Sequence, residues 1–211
     1  MKIISGLYKG RVLDGYDIKG TRPTMDRVKE SLFAIIQNKL INSVVLDLFS
    51  GSGNLALEAI SNGANFIYVV DNNNIAIKTI NSNISKLKLE HDKYEVINGD
   101  YIDALKKIKK SNNKIDIIFL DPPYKTDYIE KSIKLIDEYN ILNNNGIIIC
   151  ESDNLDKIIY SNNYKEIKNK RYGDKYIVIL EKIWYNNYRW IIWDWIIRVL
   201  QYQQCYMDYW L

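Results

Sequence analysis

The chain has 211 residues with 29 basic and 26 acidic side chains, a net charge of +3, and 47 % apolar residues. That composition excludes wholesale disorder, and the length suits one domain with an appendage. Two cysteines, Cys150 and Cys205, and one histidine, His91, are too few for a disulfide framework or a Cys/His zinc site, so no metal is expected.

No 18-residue apolar run and no signal-peptide core are present, which gives the expectation of a cytoplasmic protein without membrane contact, here taken as a monomer. The modest positive charge is weak evidence for a polyanionic partner. Lysine outnumbers arginine heavily, so the six arginines, at 11, 22, 27, 171, 189 and 198, carry more information than the lysines.

In chain order, short strands are predicted at 3–7 and 11–14 around Tyr8-Lys9-Gly10, followed by a helix over 25–39 with Thr24 as its N-cap and Asp26 in its first turn. Val28, Leu32, Ile35 and Ile36 give that helix an apolar face at helical spacing. Beyond it, strands at 44–49, 66–71, 94–98, 115–120 and 146–151 alternate with helices at 54–62, 73–88, 102–109, 127–139 and 155–161. The runs 44–49 and 115–120 are almost continuously apolar, as in strands buried on both faces. The alternation predicts a doubly wound, mostly parallel α/β domain, and strands at 164–170 and 176–181 close it as an antiparallel hairpin. All five tryptophans lie within 184–211, which sets that tail apart from a small N-terminal unit at 1–40 and the main domain at 41–183. The tail is too short and too interrupted by Asp194 and Arg198 to span a membrane.

Three motifs carry chemistry. Asp47-Leu48-Phe49-Ser50-Gly51-Ser52-Gly53 follows a buried strand and precedes a helix, where glycines admit a ligand to the backbone and helix N–H groups. Asp47 would lie in the crevice at the strand ends, and Asp71, about 20 residues past Gly51, is at the separation of a carboxylate that holds ribose hydroxyls. Asn98-Gly99-Asp100-Tyr101 follows the third strand, and Asp100 is read either as an acceptor for an adenine amino group or as a helix cap. Asp121-Pro122-Pro123-Tyr124 follows the fourth. The two prolines remove two backbone donors and hold the chain extended, leaving the Asp121 carboxylate and the Pro122 carbonyl as convergent acceptors. Two such acceptors suit a planar exocyclic NH2, and Tyr124 offers a face for base stacking, worth roughly 1–3 kcal/mol.

In this order and spacing the motifs resemble a class I S-adenosylmethionine-dependent amino-methyltransferase. Gly6-x-Tyr8-Lys9-Gly10-Arg11, the run from Thr21-Arg22-Pro23-Thr24 through Asp26-Arg27-Val28-Lys29-Glu30-Ser31-Leu32-Phe33, and Arg171-Tyr172-Gly173-Asp174 narrow it: residues 1–183 resemble the RsmD family. Members of that family methylate the N2 amino group of one guanine in 16S ribosomal RNA. The resemblance implies a Rossmann-like fold, S-adenosylmethionine as cofactor, and 16S rRNA, the small subunit or an assembly intermediate as partner. It implies Asp47, Phe49, Gly51 and Gly53 around the methionine and sugar, Asp71 on the ribose, and Asp100 with Tyr101 at the adenine. Asp121, Pro122 and Tyr124 would act on the base, Arg22, Thr24 and Arg27 would lie near the reacting centre or RNA backbone, and Lys9, Arg11 and Arg171 would meet phosphates. Asp71 stands where the family often has Glu, Ala34 where it often has Asn, and the Trp-rich tail has no counterpart. The competing readings are a DNA adenine-N6 methyltransferase, for which the chain has no room for a target-recognition domain, and a catalytically idle RNA-binding or ribosome-assembly module.

Overall fold

The computed structural model describes residues 1–15, 23–123 and 127–183, with the side chains of 23–25 left aside. Helix α1 (Pro23–Leu40) leads into β1 (Val44–Asp47), α2 (Asn54–Ser61), β2 (Phe66–Asp71), α3 (Asn74–Leu87), β3 (Tyr94–Asn98), α4 (Tyr101–Ser111), β4 (Ile115–Leu120), α5 (Tyr128–Glu138), β5 (Leu142–Ser152), β6 (Tyr164–Tyr172) and β7 (Lys175–Lys182). The strands form one sheet in the order β3-β2-β1-β4-β5-β7-β6. The first five are parallel, and β7 pairs antiparallel with both β5 and β6. The doubly wound sheet with its closing hairpin is the expected architecture.

Alternation along the strands splits the interior into two cores. Val45, Ile67, Val69, Ile117, Phe119, Ile147 and Ile149 face α1, α2 and α3. Leu46, Tyr68, Val70, Ile118, Leu120, Ile148 and Cys150 face α4 and α5. Strands sealed on both sides have no polar face to show, which is why β1 and β4 read as almost continuous apolar runs, broken in β4 by Asp116. Cys150 is one of these core residues, and burial pushes its thiol up.

Four expectations are corrected. The strands placed at 3–7 and 11–14 reduce to one antiparallel bridge, Lys2 with Val12, because a Gly6–Gly10 turn with two positive φ angles curls the chain back early. α1 starts at Pro23, so Thr24 lies inside the first turn and is not the N-cap; proline is favoured at a first helical position, where its missing N–H costs no bond. Ile35 is 42 % exposed, and Leu32, Phe33, Ile36 and Leu40 form the buried face of α1 instead. At 155–161 only a single 3-10 turn, Leu155–Lys157, forms; the Asn154 side chain accepts from the Asp156 N–H and the chain leaves helical geometry at Ile158. The tail at 184–211, Arg22 and Tyr124 lie outside the described residues.

The N-terminal segment is bolted to the outer surface of the helices behind the first glycine loop. Leu7 N–H donates to Ser61 O at 2.7 Å, an approach so close that a Cβ on Gly6 would sit 1.8 Å from that oxygen. Glu58 accepts from the Ile4 and Ser5 backbone N–H groups and from Ser5 Oγ, and pairs with Lys29 Nζ of α1 at 2.9 Å. Asn83 of α3, fully buried, accepts from Asp14 N–H at 2.7 Å and donates to the carbonyls of Asp14 and Ser52. Only residues 41–43 separate α1 from β1, so the helix runs antiparallel to the strand and its first turn comes to the carboxyl end of the sheet.

Candidate active site at the ends of strands 1 and 4

The sheet reverses direction between β1 and β4: β1 continues to β2 on one side and meets β4 on the other. In open α/β sheets the crevice beyond the carboxyl ends of such a pair is where ligands bind. Two carboxylates end these strands. Asp47 is the last residue of β1, paired in register with Phe119, and Asp121 follows β4 directly.

The loop after β1 is held rigid from below. Ser50 N–H donates to Val70 O at 2.9 Å, Ser50 Oγ donates to Asp47 O at 2.7 Å and accepts from Val70 N–H at 3.0 Å, and Gly53 N–H donates to Ser50 O at 2.8 Å. Gly51 and Gly53 have φ of 55° and 77°, the left-handed region where glycine carries no penalty, and Gly53 is the N-cap of α2. Asp47 is 1 % exposed. Its Oδ2 accepts from Ala56 N–H in the first turn of α2 at 3.3 Å, while Oδ1 has no hydrogen-bond partner among the described residues. Burial, with Asp71's charge adding to it and the Ala56 and Ser50 bonds opposing, pushes the Asp47 carboxyl up to about 7. An orphaned buried oxygen is costly unless something donates to it, and a ligand's ammonium or amide supplies that donor. The glycine cradle and this acceptor fit a zwitterionic, cationic ligand.

Asp71, at the end of β2, accepts from Gly51 N–H and Asn73 N–H, each at 2.8 Å. Both of its oxygens thus brace the loops. Asp100 is exposed and caps α4 by accepting from Ile102 N–H at 2.8 Å, so the capping alternative describes its geometry. Phe49 and Tyr101 come together, ring centres 5.7 Å apart, and a third ring joins them: Tyr128 stacks on Phe49 at 5.8 Å and lies 5.1 Å from Tyr101. Burial raises the Tyr101 phenol, so it stays neutral in this aromatic wall.

Across the crevice, directly after β4, Asp121 is partly buried and Pro122 buried. Burial first, then the Glu151 charge, push the Asp121 carboxyl up to about 8; Lys175 opposes and Asp47 adds. Arg27 is exposed on the first turns of α1 and Arg171 near the end of β6, whereas Lys9 and Arg11 are exposed on the N-terminal turn, which Leu7 and Tyr8 tie to Ser61 at the end of α2 opposite the glycine loop. Arg171 Nε donates to Gly173 O at 2.9 Å and its guanidinium lies 5.5 Å from the Tyr176 ring centre.

The family model described as conserved hypothetical protein 95 matches residues 1–181. Ribosomal RNA small subunit methyltransferase D of Haemophilus influenzae is 35 % identical over 173 residues, covering 82 % of this chain and 89 % of its own length. The protein of the same name from Escherichia coli K12 is 31 % identical, covering 72 % and 75 %. A solved Escherichia coli structure bearing a methyltransferase name superimposes with a TM-score of 0.76 at 27 % identity, over 87 % of this chain and 98 % of that one. The chain belongs to the RsmD family. It is a methyltransferase of Rossmann-like fold.

Within this RsmD-family fold, several residues of the site were not legible as motifs. Glu58 and Lys29, the buried pair behind the glycine loop, give only one hint, a charged residue in the middle of the apolar helix α2. Tyr128 gives none, being an aromatic residue at the start of an amphipathic helix. Glu151 and Lys175, which bear on Asp121, sit on two strands whose neighbourhood depends on the hairpin closing beside β5.

Among the described residues no helix is long and apolar enough to cross a membrane, and no cluster of His, Cys, Asp and Glu is suited to a metal ion.

Proposed function

We propose that this RsmD-family chain methylates the exocyclic N2 amino group of one guanine in small-subunit ribosomal RNA, with S-adenosylmethionine as methyl donor. The observation that carries the reading is the pairing of Asp121-Pro122 at the end of β4 with Asp47 and the Gly51/Gly53 loop at the end of the adjacent β1. A rigid pair of acceptors beside a cradle for a cationic ligand is what transfer to an amino group needs. The names of the relatives from Haemophilus influenzae and Escherichia coli support RNA of the small subunit as the substrate.

When bound, S-adenosylmethionine supplies a methyl group on a positively charged sulfur. Asp47 Oδ1 accepts a donor from the methionine part, Gly51 and Gly53 leave room at the backbone, and Asp71 accepts from the ribose hydroxyls. Asp100 and Tyr101 border the adenine, with Phe49 and Tyr128 completing the wall. Both Asp47 and Asp121, held up near neutrality by burial, regain the ionised form next to a cationic ligand. The Asp121 carboxylate and the Pro122 carbonyl take the two hydrogens of guanine N2. This weakens the delocalisation of the nitrogen lone pair into the ring and stabilises the positive charge that grows on nitrogen. Holding the nitrogen in line supplies roughly 7–11 kcal/mol of the barrier. Arg22, Thr24 and Arg27 orient the RNA near the reacting centre, Tyr124 stacks on the base, and Lys9, Arg11 and Arg171 hold phosphates.

Incubation with methyl-labelled S-adenosylmethionine and, separately, naked small-subunit RNA, assembled small subunits and duplex DNA tests the reading. Label in the RNA or the subunits is expected. Label in DNA alone assigns the DNA adenine alternative, and no label in any arm assigns the idle module.

A further inference from the structure

Beyond Asp121 the register of the sheet lines up a charged pair to which no role has yet been given. Leu120 of β4 pairs with Cys150 of β5, so Asp121 and Glu151 are neighbours one step further along. Phe119 and Ile149 face the core under α1 while Leu120 and Cys150 face the opposite one, and the period of two turns Asp121 and Glu151 to the α1 side. The same count puts Asp47 there, since Val45 faces α1 and Leu46 does not. On β7, Ile177 and Ile179 face α1, which brings Lys175 to this side, and its Nζ donates to Glu151 Oε1. Glu151 is 18 % and Lys175 28 % exposed, so the pair is partly shielded from solvent, as is the Lys39–Glu181 pair. Across the adjacent strands β1, β4, β5 and β7 the α1 side carries Asp47, Asp121, Glu151 and Lys175, with Asp121 two residues past the register partner of Asp47 and Lys175 two residues from that of Glu151.

We propose that the Glu151–Lys175 ion pair is a positioning device that keeps Asp121 balanced as acceptor of the proton released from guanine N2. The proposal rests on the methyl-transfer reading above. In that transfer the nitrogen lone pair would form the C–N bond while the donor's methyl–sulfur bond breaks with its electron pair on sulfur; the N–H bond then breaks with its pair remaining on nitrogen, and the proton goes to a carboxylate oxygen of Asp121, which returns it to solvent. For that, Asp121 must be ionised when the base arrives and basic enough to hold the proton afterwards. Glu151 and Asp47 make it more basic, and Lys175 keeps the penalty from growing so large that Asp121 stays protonated. Among the described residues, the first turns of α1 also carry Asp26, Arg27, Lys29 and Glu30, of which Lys29 is committed to Glu58 and Arg27 and Glu30 are exposed.

The test is titration of carbon-13-labelled aspartate carboxyls by NMR in the full chain, with Asp121→Asn assigning the Asp121 signal. It is paired with the pH profile of kcat on small-subunit RNA. Lys175→Met removes the opposing charge, so the Asp121 midpoint and the rising limb of kcat move up by about one unit, and kcat at a pH on that limb falls about tenfold. Glu151→Gln removes the like charge, and both move down by about one unit. Lys175→Arg restores the wild-type profile, and KM for RNA and S-adenosylhomocysteine affinity stay within about twofold throughout. Opposite movement of the two midpoints is the result that a purely structural pair would not give. Midpoints that move together or stay still, or a loss confined to KM, overturn the proposal. Should Lys175→Met fail to fold, Lys175→Gln takes its place. Should wild type methylate no RNA, the functional reading fails, while the NMR midpoints still uphold or overturn the effect of the pair on Asp121.

Discussion

Two fully buried carboxylates lie on either side of the first glycine loop and are treated in opposite ways. Glu58, 0 % exposed, accepts from two backbone N–H groups and Ser5 Oγ, receives Asn62 Nδ2 at 3.3 Å, and pairs with Lys29. Asp47, 1 % exposed, receives the Ala56 N–H on one oxygen at 3.3 Å, and among the described residues it has no paired cation and its other oxygen no hydrogen-bond partner. Burial of a charge is tolerated when donors and a counter-charge surround it, so Glu58 serves the fold by tying the N-terminal segment and α1 to α2. Asp47 lacks that full set, and on the proposed reading its open oxygen serves a ligand. The contrast separates structure from function among residues that composition alone makes equivalent.

The largest effect expected is on Glu58. Glu58→Ala strands Lys29 in the interior and should cost about 3–5 kcal/mol in denaturant unfolding, since removing one member of a buried pair leaves the other uncompensated. A loss no greater than that of a surface substitution would erase the distinction from Asp47. Gly6→Ala comes next, at about 2–4 kcal/mol, because a Cβ there meets Ser61 O at 1.8 Å and the φ of 77° disfavours any side chain; unfolding midpoints of this variant check it.

Asp47→Asn should act with two signs. Affinity for S-adenosylhomocysteine, read by calorimetry, falls roughly 10–100-fold as the acceptor becomes an amide. The carboxyl is raised from 3.8 to about 7, so its contribution to stability is complete below pH 3.8 and is lost as pH climbs through about 7. Without ligand the variant should therefore be more stable than wild type at pH 8, by about 1–3 kcal/mol, and the gain should vanish near pH 4. A variant that is less stable at both pH values would place Asp47 with Glu58 as a structural residue. The smallest effect is on the rim: Arg171→Ala should raise KM for RNA by less than about tenfold, and lower the salt slope by about one, as for a single phosphate contact. An unchanged slope removes Arg171 from the RNA surface.

Strands 44–49 and 115–120 were legible because they are buried on both faces, and their ends fixed Asp47 and Asp121 at one crevice. The glycine loop and the Asp-Pro-Pro turn were legible because their backbone demands are local. The Glu58–Lys29 and Glu151–Lys175 pairs were not, since each joins residues far apart in sequence that meet only once the sheet and helices have assembled. The stretch 155–161 misled because its Leu-Asp-Lys-Ile-Ile spacing is compatible with a helix, while the Asn154 cap closes a single tight turn. For Asp100 the sequence left cap and adenine contact open, and the hydrogen bond to Ile102 N–H realises the cap.

The identity of the modified atom decides whether Asp121 and Pro122 meet a guanine amino group. RNA labelled by the wild-type protein and by Asp121→Ala should be digested to nucleosides and resolved by mass spectrometry. N2-methylguanosine from wild type and its loss by roughly 10²–10³-fold or more in the variant is the expected result. N6-methyladenosine, or N2-methylguanosine persisting at wild-type levels without Asp121, would contradict it.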